Sequence, residues 1–426
     1  MTPAPLAYEL HRHRLANGLR LVVNPDRWAP VVAVNVWYDV GSAHEAPGRT
    51  GFAHLFEHLM FSGSAQVGPG EQLGRLQALG GEVNATTSFD RTNYFETVPA
   101  GVAALALWYE ADRLGSLLDA IDQETLDTER EVVKEEMRQR YDNVPYGDAF
   151  ARLVELVFGA DHPYGHMAIG SMADLDAAGV DDVRAFFTTF YRPANAVVSL
   201  AGAIDPAEAV RLVEDYFGDL PAAPAPPRLT LPALPPLTGA PRLELTGAVP
   251  QDALYVAWRT PAFGQPGHEA VGLALTILAD GLVARLHTDL VRTGLADAVG
   301  ASDLGLSRGT SAAVAYATTR EGVALADLED ALLASWAGFV EDGPTDDELS
   351  RAVAKTTRDW LSSLASLDTR ADALSEATAV FDDPNRVNTW LGEIAGLGRD
   401  DVRRAARGFL QPDQRATLAY HRQEAP

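Results

Sequence analysis

An α+β fold made of two homologous sheet-and-helix halves is predicted for this 426-residue chain by three observations. Apolar or alternating segments that read as strands open each half, GLRLVVN (18–24) and VVAVNVWYDV (31–40) in the first and ALYVAWR (253–259) in the second, with helical stretches gathered after them. Asp181, Asp182, Val183, Arg184, Phe190 and Pro193 recur at one offset of 219 residues as Asp400, Asp401, Val402, Arg403, Phe409 and Pro412. Residues 221–241 hold eight prolines, the composition of a stiff extended spacer. The predicted organisation is therefore a first half over 1–220, a linker over 221–241 and a second half over 242–426.

After the two opening strands, GFAHLFEHLMFSGS carries His54, Glu57 and His58 beside an apolar set of Phe52, Leu55, Phe56, Leu59 and Met60, which reads as a helix packed on a core. Residues four apart share a helix face, so His54 and His58 can direct ring nitrogens at one metal ion. Glu57 leans toward the same side, where it can hold a water as general base.

The segment EVNATTSF follows, alternating Val83, Ala85 and Thr87 against Glu82, Asn84 and Thr86 with the period of a half-exposed strand. At a sheet edge, such a strand offers free backbone groups to an extended peptide. The acidic stretch 121–141, IDQETLDTEREVVKEEMRQRY, reads as a helix. A third metal ligand must be histidine or carboxylate, because the chain has no cysteine. Glu129 and Glu136 lie two turns apart on one face of that helix, so Glu136 can ligate while Glu129 steadies a ligand. Spacing alone leaves Glu135 as a rival. Each repeat then reads as helix, proline stop and strand, NAVVSLAG in the first copy and RATLAYH in the second. The 219-residue offset carries the metal motif onto Leu273, Thr276 and Ile277, and His268 and His287 read as incidental. The second half thus has packing where the first has chemistry.

Composition narrows the partners. With 34 basic and 59 acidic residues the net charge is −25, which excludes nucleic acid and anionic membrane as expected partners. No run of 18 apolar residues occurs and the start lacks the pattern of a signal peptide, so a cytoplasmic location is the default expectation.

HLFEH followed by EREVVKEE resembles the pitrilysin/insulinase family of inverzincin metallopeptidases, in particular its half-size bacterial members, which are similar to the catalytic subunit of the mitochondrial processing peptidase. GGEVNATTSFDRTNYFETVP (80–99), HPYGHMAIGS (162–171) and FYRPANAVVSLAG (190–202) resemble family segments in family order. The resemblance implies Zn²⁺ held by His54, His58 and Glu136, with Glu57 as catalytic base, Glu129 as supporting carboxylate, and Asn84 and Ala85 on a substrate-binding strand. Its interval decides for Glu136 over Glu135. It further implies a metalloendopeptidase that hydrolyses unfolded or short peptides in an enclosed chamber, a clamshell of two chains. A non-catalytic scaffold of the same fold is the alternative.

One departure bears on partners. Family members carry an arginine and a tyrosine seven residues apart near RLxxxLRxxxGLAY, whereas this chain has ARLHTDLVRTGLADAV at 284–299, with Asp297 where the tyrosine is expected. Neither Arg285 nor Arg292 is followed by tyrosine at that interval. The expectation is a homologous partner subunit that lends the arginine–tyrosine pair, or a homodimer.

Overall fold

Residues 6–423 are described by a computed structural model. The first sheet comprises β1 (His11–Arg14), β2 (Arg20–Pro25), β3 (Val31–Tyr38), β4 (Glu82–Thr87), β5 (Thr92–Pro99) and β6 (Ala196–Gly202), in the order β1-β2-β6-β3-β5-β4. The second comprises β7 (Arg242–Gly247), β8 (Ala253–Pro261), β9 (Ala296–Asp303), β10 (Thr310–Thr319) and β11 (Ala416–Arg422), in the order β7-β11-β8-β10-β9. From β2 onward the two orders correspond strand for strand. The one parallel pairing in each also corresponds, β2 with β6 and β7 with β11. The duplication read in six residues is thus a duplication of topology.

Helices α1 (Phe52–Leu59), α2 (Gln123–Met137) and α3 (Ala149–Phe158) belong to the first half. The second half contributes α4 (His268–Ala279), α5 (Asp346–Ser363), α6 (Leu367–Phe381) and α7 (Arg386–Ala395). Between Phe217 and Arg242 runs a stretch without helix or strand, as its prolines dictate. No helix among the described residues is long and apolar enough to cross a membrane.

The apolar stretches of the first sheet explain its layers. All seven residues of β6 and seven of the eight in β3 are buried, a pattern that requires cover on both faces. Helix α1 packs on the β4–β5 side of one face, joined to α2 through a core that includes Phe52, Leu55, Phe56, Leu59, Leu126 and Val133. The other face is covered by α6, which the chain assigns to the second half. Ser375 Oγ meets Ser199 Oγ at 2.8 Å, Asn93 Nδ2 donates to Asp372 Oδ1 at 2.9 Å, and Arg370 pairs with Asp26 at 2.8 Å. The exchange is reciprocal. Helix α3 lies on β8 and β11, where Leu153, Val154, Val157 and Phe158 pack with Ala257, Leu418 and Tyr420, and Arg259 donates to the Val157 carbonyl at 2.6 and 2.9 Å. Buried Arg308 completes the junction by pairing with Asp39 and with Asp90, which also accepts from Tyr164 Oη at 2.7 Å.

Candidate metal centre

Helix α1 starts where Gly51 takes a left-handed conformation (φ 93°), and a side chain there would collide with the Ile169 carbonyl. Helix α2 starts where Asp122 accepts from the Thr125 N–H at 2.9 Å. Their crossing sets Glu136 against the histidine face of α1. His58 Nε2 lies 3.2 Å and His54 Nε2 3.7 Å from Glu136 Oε2, and the three ligand atoms fall within 4.8 Å of one another. Ligands bound to zinc in a tetrahedral arrangement stand about 3.4 Å apart, so this donor set fits that ion and leaves a position for water or substrate. Burial, together with neighbouring His58, holds the His54 imidazole down to about 4, so its lone pair is free to ligate at neutral pH. Glu135, the spacing rival, turns to solvent and pairs with Arg138 at 3.0 Å.

Glu57 stands beside this trio without joining it. Its Oε2 accepts from Thr87 Oγ1 at 2.6 Å, which ties the carboxylate to the end of β4. Burial pushes Glu57 above the ordinary glutamate range, against the opposing pull of the Thr87 hydrogen bond and His58. Glu129 lies behind the ligands, accepting from Ser62 Oγ at 2.9 Å and facing His58 Nδ1 at 3.7 Å. Arg140 sits in a π-helical turn over Arg138–Asp142 and pairs with Glu136 Oε1 at 2.7 Å, leaving Oε2 toward the histidines. Thr87, Ser62 and Arg140 were not singled out by sequence reasoning, since their roles depend on elements meeting in space.

The N-terminus of α1 has no local cap, and Glu45 supplies a distant one. Its fully buried carboxylate accepts from Ala53 N–H at 2.7 Å and Gly51 N–H at 3.0 Å, while His166 Nε2 lies 2.9 Å from Oε2. The HPYGHMAIGS segment thereby clasps the metal helix. Glu45→Ala is expected to cost about 1–3 kcal/mol, because two amides and an imidazole lose their partner inside the protein. The shift of a chemical denaturation midpoint measures it, and an unshifted midpoint would show the clasp to be unimportant.

Among the described residues, strand β4 occupies the edge of the first sheet and pairs with β5 alone. Asn84 is exposed and folds its side-chain oxygen onto the Ala85 N–H at 2.9 Å, while the Ala85 side chain is buried on the α1 side. The structure thus brings His54, His58, Glu136, Glu57 and Glu129 together, with Asn84 and Ala85 on the adjoining edge.

In the second half α4 packs on α5 as α1 packs on α2. Leu273 is buried, Ile277 likewise, and Thr276 Oγ1 bonds back to the Gly272 carbonyl at 3.0 Å. The 219-residue offset also carries Glu129 and Glu136 onto Glu348 and Lys355. Glu348 is gripped by Arg285 at 2.7 and 2.9 Å, and the Lys355 ammonium bridges Asp280 and Asp359 at 2.9 Å each. An ammonium stands where the first half offers a ligand carboxylate. Asp297 pairs with Arg320 at 3.1 Å and accepts from Gln251, so Arg285 and Asp297 are both engaged in ion pairs of their own. His268 rests on the Pro261 carbonyl at 3.2 Å, and His287 Nδ1 is buried without a hydrogen-bond partner among the described residues.

Comparison with known proteins bears on the family and the fold. Residues 20–151 match the model of the insulinase family, peptidase family M16, and residues 178–356 match that of the peptidase M16 inactive domain. An uncharacterized zinc protease of Mycobacterium leprae is 31% identical over 344 residues, covering 79% of this chain and 75% of that protein. The zinc protease PqqE of Helicobacter pylori is 31% identical over 286 residues, 65% of this chain and 62% of that protein. The crystal structure of a protease from Helicobacter pylori has the same fold, with a TM-score of 0.90 at 26% identity over 97% of this chain and 99% of that one. The chain belongs to the insulinase family of peptidases, family M16.

Proposed function

We propose that this chain is a zinc-dependent endopeptidase that hydrolyses unfolded or short peptides in an enclosed chamber, as the zinc-bearing member of a dimer. The observation that carries the reading is the convergence of His54, His58 and Glu136 within 4.8 Å, with the Glu57 carboxylate held beside them by Thr87. When bound there, zinc would supply Lewis acidity toward the scissile carbonyl and the attacking water. Glu57 takes one proton from that water as its oxygen attacks the carbonyl carbon, then delivers the proton to the departing amine nitrogen as the C–N bond breaks. The edge of β4 at Asn84 and Ala85 pairs with the extended peptide, which displaces the Asn84 side chain from the Ala85 N–H, and sets the scissile bond against Glu57. Glu129 keeps the His58 ring oriented.

The need for a partner rests on Arg285 and Asp297. A tetrahedral oxyanion calls for a donor beyond the metal, and losing one such donor typically costs about 10² to 10³ in rate. Asp297 is no such donor, and the Arg285 guanidinium is committed to Glu348. A homologous subunit carrying an arginine–tyrosine pair supplies it, whereas a homodimer would have to find the donor elsewhere. The test is metal analysis of the purified chain combined with a quenched-peptide assay, alone and with such a subunit. Low activity that rises by about 10² or more on pairing is expected. Full activity of the chain alone would overturn the partner, and zinc-free protein that stays inert in every pairing would establish the scaffold alternative.

A further inference from the structure

We propose that the junction of the two halves holds a second ligand site, a cavity that takes a small organic cation, an ammonium or guanidinium on an apolar body. The cavity encloses about 260 Å³ between the end of β8, the end of β9 and helices α5, α6 and α7. It lies on the side of the first sheet away from the metal helix. Along β5, Tyr94 turns its hydroxyl toward the Phe56 carbonyl of α1, while Asn93 points oppositely to Asp372 of α6.

Four aromatic side chains form the walls. Phe263 and Phe381 meet edge to face at 5.2 Å, and Trp360 and Trp390 lie 4.8 Å apart. Four ionisable groups line the same space, and three of them are already engaged. Asp303 accepts from Thr260, Ser311 and the Gly305 N–H at 2.7–2.8 Å. Arg386 pairs with Glu269 at 2.7 Å and Glu393 at 3.1 Å, with its guanidinium 4.3 Å above the Phe381 ring. His268 is turned to the Pro261 carbonyl. Glu376 is the exception: its carboxylate has no hydrogen bond or ion pair among the described residues. One turn earlier on the same helix Asp372 has both Asn93 and Asn35 as donors. Burial drives Glu376 up to about 7, with Asp372 and Asp90 adding to the rise and Arg91 and Arg386 opposing it.

A partly buried carboxylate without a partner favours a ligand that brings positive charge. Arg386 already lies over the Phe381 and Phe263 rings, and the indoles of Trp360 and Trp390 favour the same ligand, since their quadrupoles attract cations. Glu376 and Asp303 exclude an anion. The volume admits roughly nine non-hydrogen atoms at about 30 Å³ each. Occupancy would tie α6, which covers the first sheet, to the end of the second sheet, so binding raises the stability of the whole chain.

The probe is 2-phenylethylamine, with 2-phenylethanol as its uncharged counterpart, titrated calorimetrically into the full chain and followed in parallel by thermal denaturation. Saturable binding of the amine with Kd of about 1 mM or tighter is expected, with a rise in Tm. The alcohol and the Glu376→Gln variant should each bind at least about tenfold more weakly. Ala373→Leu, which fills the cavity and leaves the carboxylate in place, should abolish binding, and it serves as the deciding variant if Glu376→Gln does not fold. Absence of saturable binding to the native chain overturns the site, as does an affinity unchanged in both variants. The readout does not involve the metal, so its failure and that of the peptidase reading are separable.

Discussion

Glu57→Gln is expected to retain zinc at the native stoichiometry and to lose turnover by about 10² to 10⁴-fold, the usual contribution of a positioned general base. The substitution preserves the shape of the side chain, and the amide oxygen still accepts from Thr87. What disappears is the capacity to take a proton from water and return it to the amine. His54, His58 and Glu136 are untouched, so the ligand set survives. Metal analysis alongside quenched-peptide kinetics separates the two properties. Turnover at the native level in a zinc-loaded variant would remove Glu57 from the role.

His58→Ala acts on the centre itself, and metal and turnover should fall together. Two ligands, His54 and Glu136, remain where three converge, and Glu129 and Glu136 lose the imidazole they face. Zinc held by two protein ligands should not survive purification, and the several kcal/mol of charge stabilisation it provides corresponds to roughly a thousandfold or more in rate. Turnover should be indistinguishable from background, and added zinc should not restore it fully. Near-native zinc content in His58→Ala would place the ligand set elsewhere. The contrast between the two variants assigns one residue to proton transfer and the other to metal binding.

The convergence of His54, His58 and Glu136 was legible in sequence because these residues lie on two helices whose spacing is rigid. Four residues separate His54 from His58 and seven separate Glu129 from Glu136, and helical geometry converts both intervals into shared faces. The half-exposed character of β4 was legible for a similar reason, the alternation from Glu82 to Thr87, whereas its place at the sheet edge emerged only from the strand order. Choosing Glu136 over Glu135 was not a matter of spacing, since it depends on the rotation of α2 against α1. Glu45 and His166 stayed hidden because they are 121 residues apart and belong to irregular segments with no period to read. The exchange of helices was equally hidden. Proline content marks where the chain passes from one half to the other, but nothing in the LDTRADALSEATAVF segment says which sheet it will cover. Its small residues fit either. The burial of β6 and of nearly all of β3 in the structure is what shows the need for a second cover.

That exchange settles how this molecule can move. Each sheet is roofed by a helix threaded over from its counterpart, through the contacts of Ser375 with Ser199 and of Arg259 with Val157. A chain interlocked in this way has no hinge between its halves, because swinging them apart would strip two apolar surfaces at once. Under the pairing proposed above, the opening that admits a polypeptide would therefore lie between the two chains, each acting as a single jaw.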